Sequence, residues 1–419
     1  MLKGEKIVCV GFPKWEGDYM KSTVQLMAEL ARHNQVLYVD YPFTLKDVAG
    51  GFYPFRETPA LQILGLRPRL EERALAGGAS IHLLRLPPFI PSNWLAGEGA
   101  YDHLIRWNAR LALPFIRRAM RRLGLSQPIV VNAFNPALGN ALAGRLNEKL
   151  LVYYCYDEIS AARWIGKHGA RHEAEFLRRA DLTIVSSAAL LVAKAAGANR
   201  CGLVRNGAPS VFFQQPGPRP QDLPPGSAGT IIGYLGSVDE RLDYSLLEYT
   251  AAALPRHQFV FVGRIVDQAG ARRLERLPNV FLLGPRPPAR LPAYVSAFAA
   301  GMIPFLKNRL TAGIYPLKAN EYLALGKAVV ATRFGDMRDL EEVVEVADTR
   351  EGFRMALEKA LSSDTVGRQH VRRAFASANS WEKRAAQFGG LLAGALSGGG
   401  SPPEAPAEGL LPGVKTASP

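Results

Sequence analysis

Cysteine is scarce in this sequence. Cys9, Cys155 and Cys201 stand far apart, odd in number and with no C-x-x-C pair. A disulfide framework and a Cys-rich zinc site are excluded, and a reducing cytoplasm fits. Long apolar runs are missing too. The longest mostly apolar stretch, 294–306, is interrupted by Pro304 and is too short to cross a bilayer. Residues 7–12 are shorter than a signal-peptide core and read as a buried strand. Carboxylates run short: 37 Asp and Glu against 51 Lys and Arg leave a net charge of +14 over 419 residues. Motifs that would define a chemistry are also absent. There is no G-x-x-x-x-G-K-[ST] and no G-x-G-x-x-G after the first strand, which argues against a P-loop nucleotidase and a dinucleotide dehydrogenase. No G-x-S-x-G elbow or H-E-x-x-H occurs. No Asp-x-Asp follows a strand, so no metal site for a diphosphate is expected.

What is present is ordinary in composition and regular in pattern. Hydrophobic residues make up 48% and charged ones 21%, which excludes wholesale disorder. Short apolar runs at 7–12, 36–40, 81–86, 128–133, 150–156, 182–185 and 202–205 alternate with helical stretches at 20–32, 137–147, 171–179 and 188–196. That alternation predicts a doubly wound parallel sheet. Residues 50–79 are rich in Gly, Pro and Arg and read as a loop insertion. A Pro/Gly-rich linker at 210–229 follows, and then the alternation resumes from 231 to 361. The expected organisation is an α/β chain of two Rossmann-like domains, 1–209 and 230–379, with a closing helix at 380–397 and a disordered tail at 398–419. Ligands in parallel sheets bind at the C-terminal strand ends, so two such domains predict a cleft site between them.

The positive charge has three readings: nucleic acid, an anionic membrane surface, or phosphate-bearing substrates. No RNP-type motif, zinc knuckle or basic tail appears, so no nucleic-acid partner is expected. Arg106, Arg110, Arg117, Arg118, Arg121 and Arg122 alternate with apolar residues over 102–123, broken near Pro114. This segment suits an anionic lipid surface or a core helix with a solvated Arg face. His168 and His172 stand at i, i+4 with Glu175 behind, which suits a metal or, among so many basic residues, a solvated helix face. His82 is a further titratable candidate, or a core or loop histidine.

The most informative stretch is 308–332. Pro316 suits a first helical turn and Gly326 a C-cap. The helix between them would open toward the cleft and aim its backbone N–H groups at an anion. Lys318 stands in its first turn and Glu321 on the same face one turn on. Cations for phosphates and a carboxylate for ribose hydroxyls suit a nucleoside diphosphate. The alternative is a plain surface Lys–Glu pair on an amphipathic helix.

The stretch P-L-K-A-N-E-Y-L-A-L-G-K-A-V-V-A-T resembles the donor-binding signature of GT-B fold glycosyltransferases of the "group 1" superfamily. The likeness is to its bacterial polysaccharide branch, including teichuronic-acid-type enzymes. G-Y-L-G-S-V-D-E-R-L-D-Y at 233–244, V-G-R at 262–264, R-N-G at 205–207, S-W-E at 380–382, Y-Y-C-Y-D-E-I-S at 153–160 and the segment 15–30 resemble further motifs of that branch, in its order. The resemblance implies that Glu321 binds the donor ribose, that Lys318 and Arg241 meet the diphosphate, and that Gly236 lets backbone approach it. Arg264 would join the donor site. Members with an E-x7-E signature carry a Glu where this chain has Gly313, and Asn308 and Thr311 stand nearby to replace its hydrogen bonds.

Asp157 follows a buried strand directly and is the expected catalytic residue. It would act as general base if the reaction inverts and would position the acceptor if it retains configuration; otherwise it caps the segment at Ser160. The resemblance implies a metal-independent transferase with no cofactor, a nucleotide-sugar donor as substrate, and a lipid-linked or glycan acceptor. The expected location is cytoplasmic, peripheral on the inner face of the cell membrane. The alternatives are a sugar-nucleotide epimerase of the same fold and a noncatalytic binding partner in polysaccharide assembly.

Overall fold

A computed structural model describes residues 2–17, 21–50, 60–161, 165–225, 231–335 and 337–398. The apolar runs of the first half form β1 (Lys6–Gly11), β2 (Gln35–Val39), β3 (Leu70–Ala74), β4 (Ser80–Leu84), β5 (Ile129–Ala133), β6 (Leu150–Cys155), β7 (Leu182–Val185) and β8 (Cys201–Leu203). Their order in the sheet is β3-β4-β2-β1-β5-β6-β7-β8, and all pairs are parallel except β3 with β4. β5 and β6 are buried at every position, as strands covered on both faces must be.

The second sheet contains β9 (Ile231–Leu235), β10 (Gln258–Val262), β11 (Val280–Leu282), β12 (Ala300–Ile303), β13 (Ala328–Thr332) and β14 (Glu345–Ala347). Its order, β11-β10-β9-β12-β13-β14, is parallel throughout. Strand order reverses between β1 and β5 in one sheet and between β9 and β12 in the other, and a crevice opens at each reversal. This is the two-domain GT-B arrangement.

The chain crosses between the domains twice, and the crossings touch. Ala208 N–H donates to Asn379 O at 2.9 Å, and Trp381 N–H to Ala208 O at 3.2 Å. A Cβ on Gly207 would lie 2.7 Å from the Trp381 nitrogen, so only glycine lets the backbones meet. The last helix, Trp381–Leu396, then packs on the first domain: Trp381, Phe388 and Leu392 join Leu26, Leu30 and Tyr154 in one core.

Several expectations are corrected. Residues 60–79 are not a plain loop: they hold a short helix, Ala60–Ile63, and the antiparallel strand β3, while 51–59 lie outside the described residues. β3 carries no buried residue, so it lacks the apolar signal of the other strands. Pro114 does not break the basic segment; the helix runs unbroken over Glu98–Leu123, burying Tyr101, Asn108, Ala112 and Ile116. His168 and His172 are 4% and 5% exposed, not solvated. His168 stacks on Tyr101 at 4.1 Å, and the His172 ring lies 2.9 Å from Asp102. Of the linker, the described residues 210–225 dock on the second domain, where Asp222 pairs with Arg286 and accepts from Tyr294. The tail from 399 onward lies outside the described residues.

Candidate active site in the interdomain cleft

The loops that leave β9 and β10 meet backbone to backbone. Gly236 N–H donates to Val262 O at 2.9 Å, and Val238 N–H donates to Arg264 O at 2.8 Å. A Cβ on Gly263 would sit 2.1 Å from Gly236 O, and both glycines hold positive φ, 155° and 145°. Arg264 itself is exposed beside this contact.

Into this space opens the helix Leu317–Ala324, with Pro316 at its N-cap and Gly326 at φ 72° beyond its end. Leu235 N–H donates to Tyr322 OH at 2.7 Å, which fixes the helix against the end of β9. Lys318 reaches back over Gly236, and its Nζ lies 5.1 Å from the Phe305 ring centre and 5.5 Å from that of Tyr234. Arg241 stacks on Phe305 at 5.4 Å, held by Asp239 through Nε–Oδ1 at 2.9 Å and Nη2–Oδ2 at 2.5 Å. Two cations thus converge at one ring.

Glu321 is 5% exposed, and among the described residues no hydrogen-bond donor reaches its carboxylate. Burial pushes its pKa up, with Lys318 opposing. Burial and the neighbouring Arg241 push the Lys318 ammonium down. Burial works against the Arg241 charge, but Asp239, Tyr234 and Asp157 together outweigh it and hold that pKa above its ordinary value. The pocket is charged, poorly solvated and short of partners, a state that a bound anion with hydroxyl groups would relieve.

Asn308 and Thr311 cap the short helix Arg309–Ala312 reciprocally: Thr311 N–H donates to Asn308 Oδ1 at 3.0 Å, and Asn308 N–H to Thr311 Oγ1 at 3.1 Å. The Thr311 hydroxyl also donates to Leu306 O, and the residue is fully buried. Thr311 is therefore committed to the turn, and Asn308 can offer its Nδ2 amide hydrogens to a ligand. Gly313 is buried, and its carbonyl accepts from Ser187 Oγ of the first domain at 2.7 Å.

Asp157 stands on the opposite wall, just past β6 and half-buried. It does not cap Ser160. Glu158 does, accepting from Ser160 N–H at 3.1 Å and Ser160 Oγ at 2.6 Å, while Asp157 Oδ1 accepts from Glu158 N–H at 3.2 Å. Burial raises the Asp157 carboxyl to about 6, against the pull of Arg241 in the other domain. The structure therefore brings Asp157, Arg241, Lys318 and Glu321 to one cleft. His82 lies in mid-strand on β4, away from it.

Sequence reasoning missed two features of this wall. Phe134 takes a positive φ of 58° at the end of β5, strained for an aromatic residue, and its ring packs on Tyr156 at 4.6 Å and Phe12 at 6.5 Å. Lys194 lies beneath the Asp157 loop, 2.9 Å from Glu158 and 2.8 Å from Glu173. Its signal was there: one lysine in the otherwise apolar helix Ala188–Ala195.

Residues 229–363 match the family described as Glycosyl transferases group 1. A Bacillus subtilis (strain 168) protein named for a glycosyltransferase role in teichuronic acid biosynthesis, TuaH, is 29% identical over 195 residues. That match covers 44% of this chain and 49% of the relative, so about half of the relative's length is spanned. Among solved structures, a sucrose-phosphate synthase from Thermosynechococcus elongatus superposes with a TM-score of 0.69 at 18% identity, covering 94% of this chain and all of the other. A UDP-forming α,α-trehalose-phosphate synthase from Burkholderia vietnamiensis gives 0.62 at 12% identity, covering 94% and 100%. These two likenesses establish the fold over nearly the whole chain.

Proposed function

We propose that this chain, whose residues 229–363 match the group 1 glycosyltransferases, transfers a sugar from a nucleoside-diphosphate-sugar to a lipid-linked or polysaccharide acceptor. The observation that carries the reading is Glu321, a buried carboxylate to which no described residue donates, one turn along the helix from Lys318. Glu321 accepts from the ribose hydroxyls. Lys318, Arg241 and the N–H groups at the helix start meet the diphosphate, and Gly236 and Arg264 border it. As the glycosidic bond to the diphosphate breaks, negative charge grows on the departing phosphate oxygen, where these fixed cations stabilise it. Asp157, across the cleft, takes the acceptor proton if the reaction inverts and orients the acceptor hydroxyl if it retains configuration.

The basic groups stand where a metal ion would otherwise neutralise the diphosphate, so the reaction runs without one. The acceptor side faces an anionic membrane in this reading. Arg106, Arg110, Arg117, Arg118, Arg121 and Arg122 are all exposed on the helix Glu98–Leu123, with Trp107 among them at 46% exposure. Among the described residues no helix is long and apolar enough to cross a bilayer.

The test is a panel of nucleotide sugars screened by thermal shift, followed by product formation from the labelled donor with excess chelator present. A ligand at 100 times its dissociation constant adds about 2.7 kcal/mol. Isomerised free donor would indicate an epimerase, and binding without turnover a noncatalytic partner. Activity abolished by chelator and restored by magnesium or manganese would overturn the metal-free chemistry.

A further inference from the structure

Lys194 is 7% exposed and carries the sole charge of its helix, Ala188–Ala195. Its Nζ bridges two carboxylates, Glu173 in the core helix Gly166–Arg179 and Glu158 in the loop that holds Asp157. The second Glu173 oxygen accepts from Tyr153 OH at 2.7 Å, so this end is anchored to β6. The second Glu158 oxygen holds Ser160, whose hydroxyl accepts from Arg309 Nη2 of the other domain at 3.0 Å. The same helix begins at Ser187, whose hydroxyl accepts from Leu190 N–H and donates to Gly313 O. One helix therefore reaches the loop 308–313 by two routes, its N-cap and the chain Lys194–Glu158–Ser160–Arg309.

We propose that Lys194 is a positioning residue that couples the two walls of the cleft, holding the Asp157 loop to the first-domain core and setting where loop 308–313 of the second domain stands. A buried ammonium between two carboxylates is a poor source of stability, because apolar residues of similar size usually do as well or better. What such a network supplies is one arrangement: each oxygen has an assigned donor, and a displaced Glu158 releases Ser160 and, through it, Arg309. Glu173 and Glu158 both favour the Lys194 charge against its burial, and Lys194 and Ser160 in turn keep Glu158 ionised against its own. The proposal rests on Asp157 belonging to the cleft and is independent of the donor's identity.

Hydrogen exchange on the full chain, read by mass spectrometry without ligand, tests it. Lys194→Met should speed exchange roughly tenfold at both 156–160 and 308–313, with the second-domain strands unchanged. The neutral triple variant Glu158→Gln, Glu173→Gln, Lys194→Met should regain thermal stability but not that protection. Ser160→Ala breaks the route without leaving a buried charge, so it serves if Lys194→Met does not fold; it should speed exchange at 308–313. Protection at 308–313 that stays at the parent level in Ser160→Ala and Lys194→Met, or that returns with stability in the triple variant, would overturn the proposal. Because no turnover is measured, a failed transferase assignment gives a different result from a failed coupling.

Discussion

Gly236 leaves the space that Lys318 fills: a Cβ built on Gly236 would lie 2.2 Å from Lys318 Cε and 2.8 Å from its Nζ. The glycine also holds φ 145°, which an L side chain rarely adopts. Gly236→Ala should therefore cost about 1–3 kcal/mol of backbone strain and push the Lys318 ammonium off its place over Phe305. Nucleoside-diphosphate affinity should fall in calorimetry. A double-mutant cycle separates the two effects, because Lys318→Ala removes the clash and leaves the strain. Fully additive losses would show that the two residues do not share the site.

This pair also shows how far the sequence was legible. The strand–helix alternation gives both sheets because buried parallel strands must be continuously apolar, and P-L-K-A-N-E-Y places Lys318 and Glu321 on one helix face by spacing alone. Other features depend on distant partners. The burial of His168 and His172 depends on Tyr101 and Asp102, some 70 residues upstream. β3 stayed hidden because an exposed edge strand needs no apolar run. The capping box of Asn308 and Thr311 fits the local rule for N-caps, yet a functional reading placed those groups toward a ligand.

Asp157 should trade stability for activity. Burial raises its carboxyl from 3.8 to about 6, so in the folded chain the charged form is disfavoured. Between roughly pH 4 and pH 6 the native state then binds more protons than the unfolded one, and unfolding free energy falls as pH rises, by about 3 kcal/mol in all. Asp157→Asn removes that slope. Urea unfolding should find the variant matched to the parent near pH 4 and more stable at pH 8, while transfer activity is lost. If the base assignment holds, the parent's kcat/KM climbs through about pH 6. An equal stability difference at both pH values would contradict a raised carboxyl.

Glu321→Ala should weaken nucleoside-diphosphate binding by about 1–3 kcal/mol, between fivefold and 150-fold, through lost ribose hydrogen bonds. The empty protein should not lose comparable stability, since the removed carboxylate is buried and disfavoured in its charged form. Calorimetry on a variant whose circular dichroism matches the parent decides the point. Unchanged nucleotide affinity there would remove Glu321 from the donor site.

The basic face of the helix Glu98–Leu123 yields a prediction that is independent of the donor pocket. Its buried side, with Ala109, Ala112, Ile116 and Ala119, already accounts for its place in the core. The arginines on the other side are not needed for that packing, although Arg117 also donates to Arg145 O at 3.1 and 2.8 Å. Each arginine near an anionic surface contributes about 1 kcal/mol, screened over a Debye length of roughly 8 Å. Sedimentation with vesicles should therefore require anionic lipid and decline with salt. Replacing Arg117, Arg118, Arg121 and Arg122 by Gln should reduce it strongly. Nucleotide affinity should stay at the parent value, because Lys318, Arg241 and Glu321 belong to the other domain. Equal sedimentation of the two proteins on anionic vesicles at low salt would mean that these arginines serve only to solvate the helix.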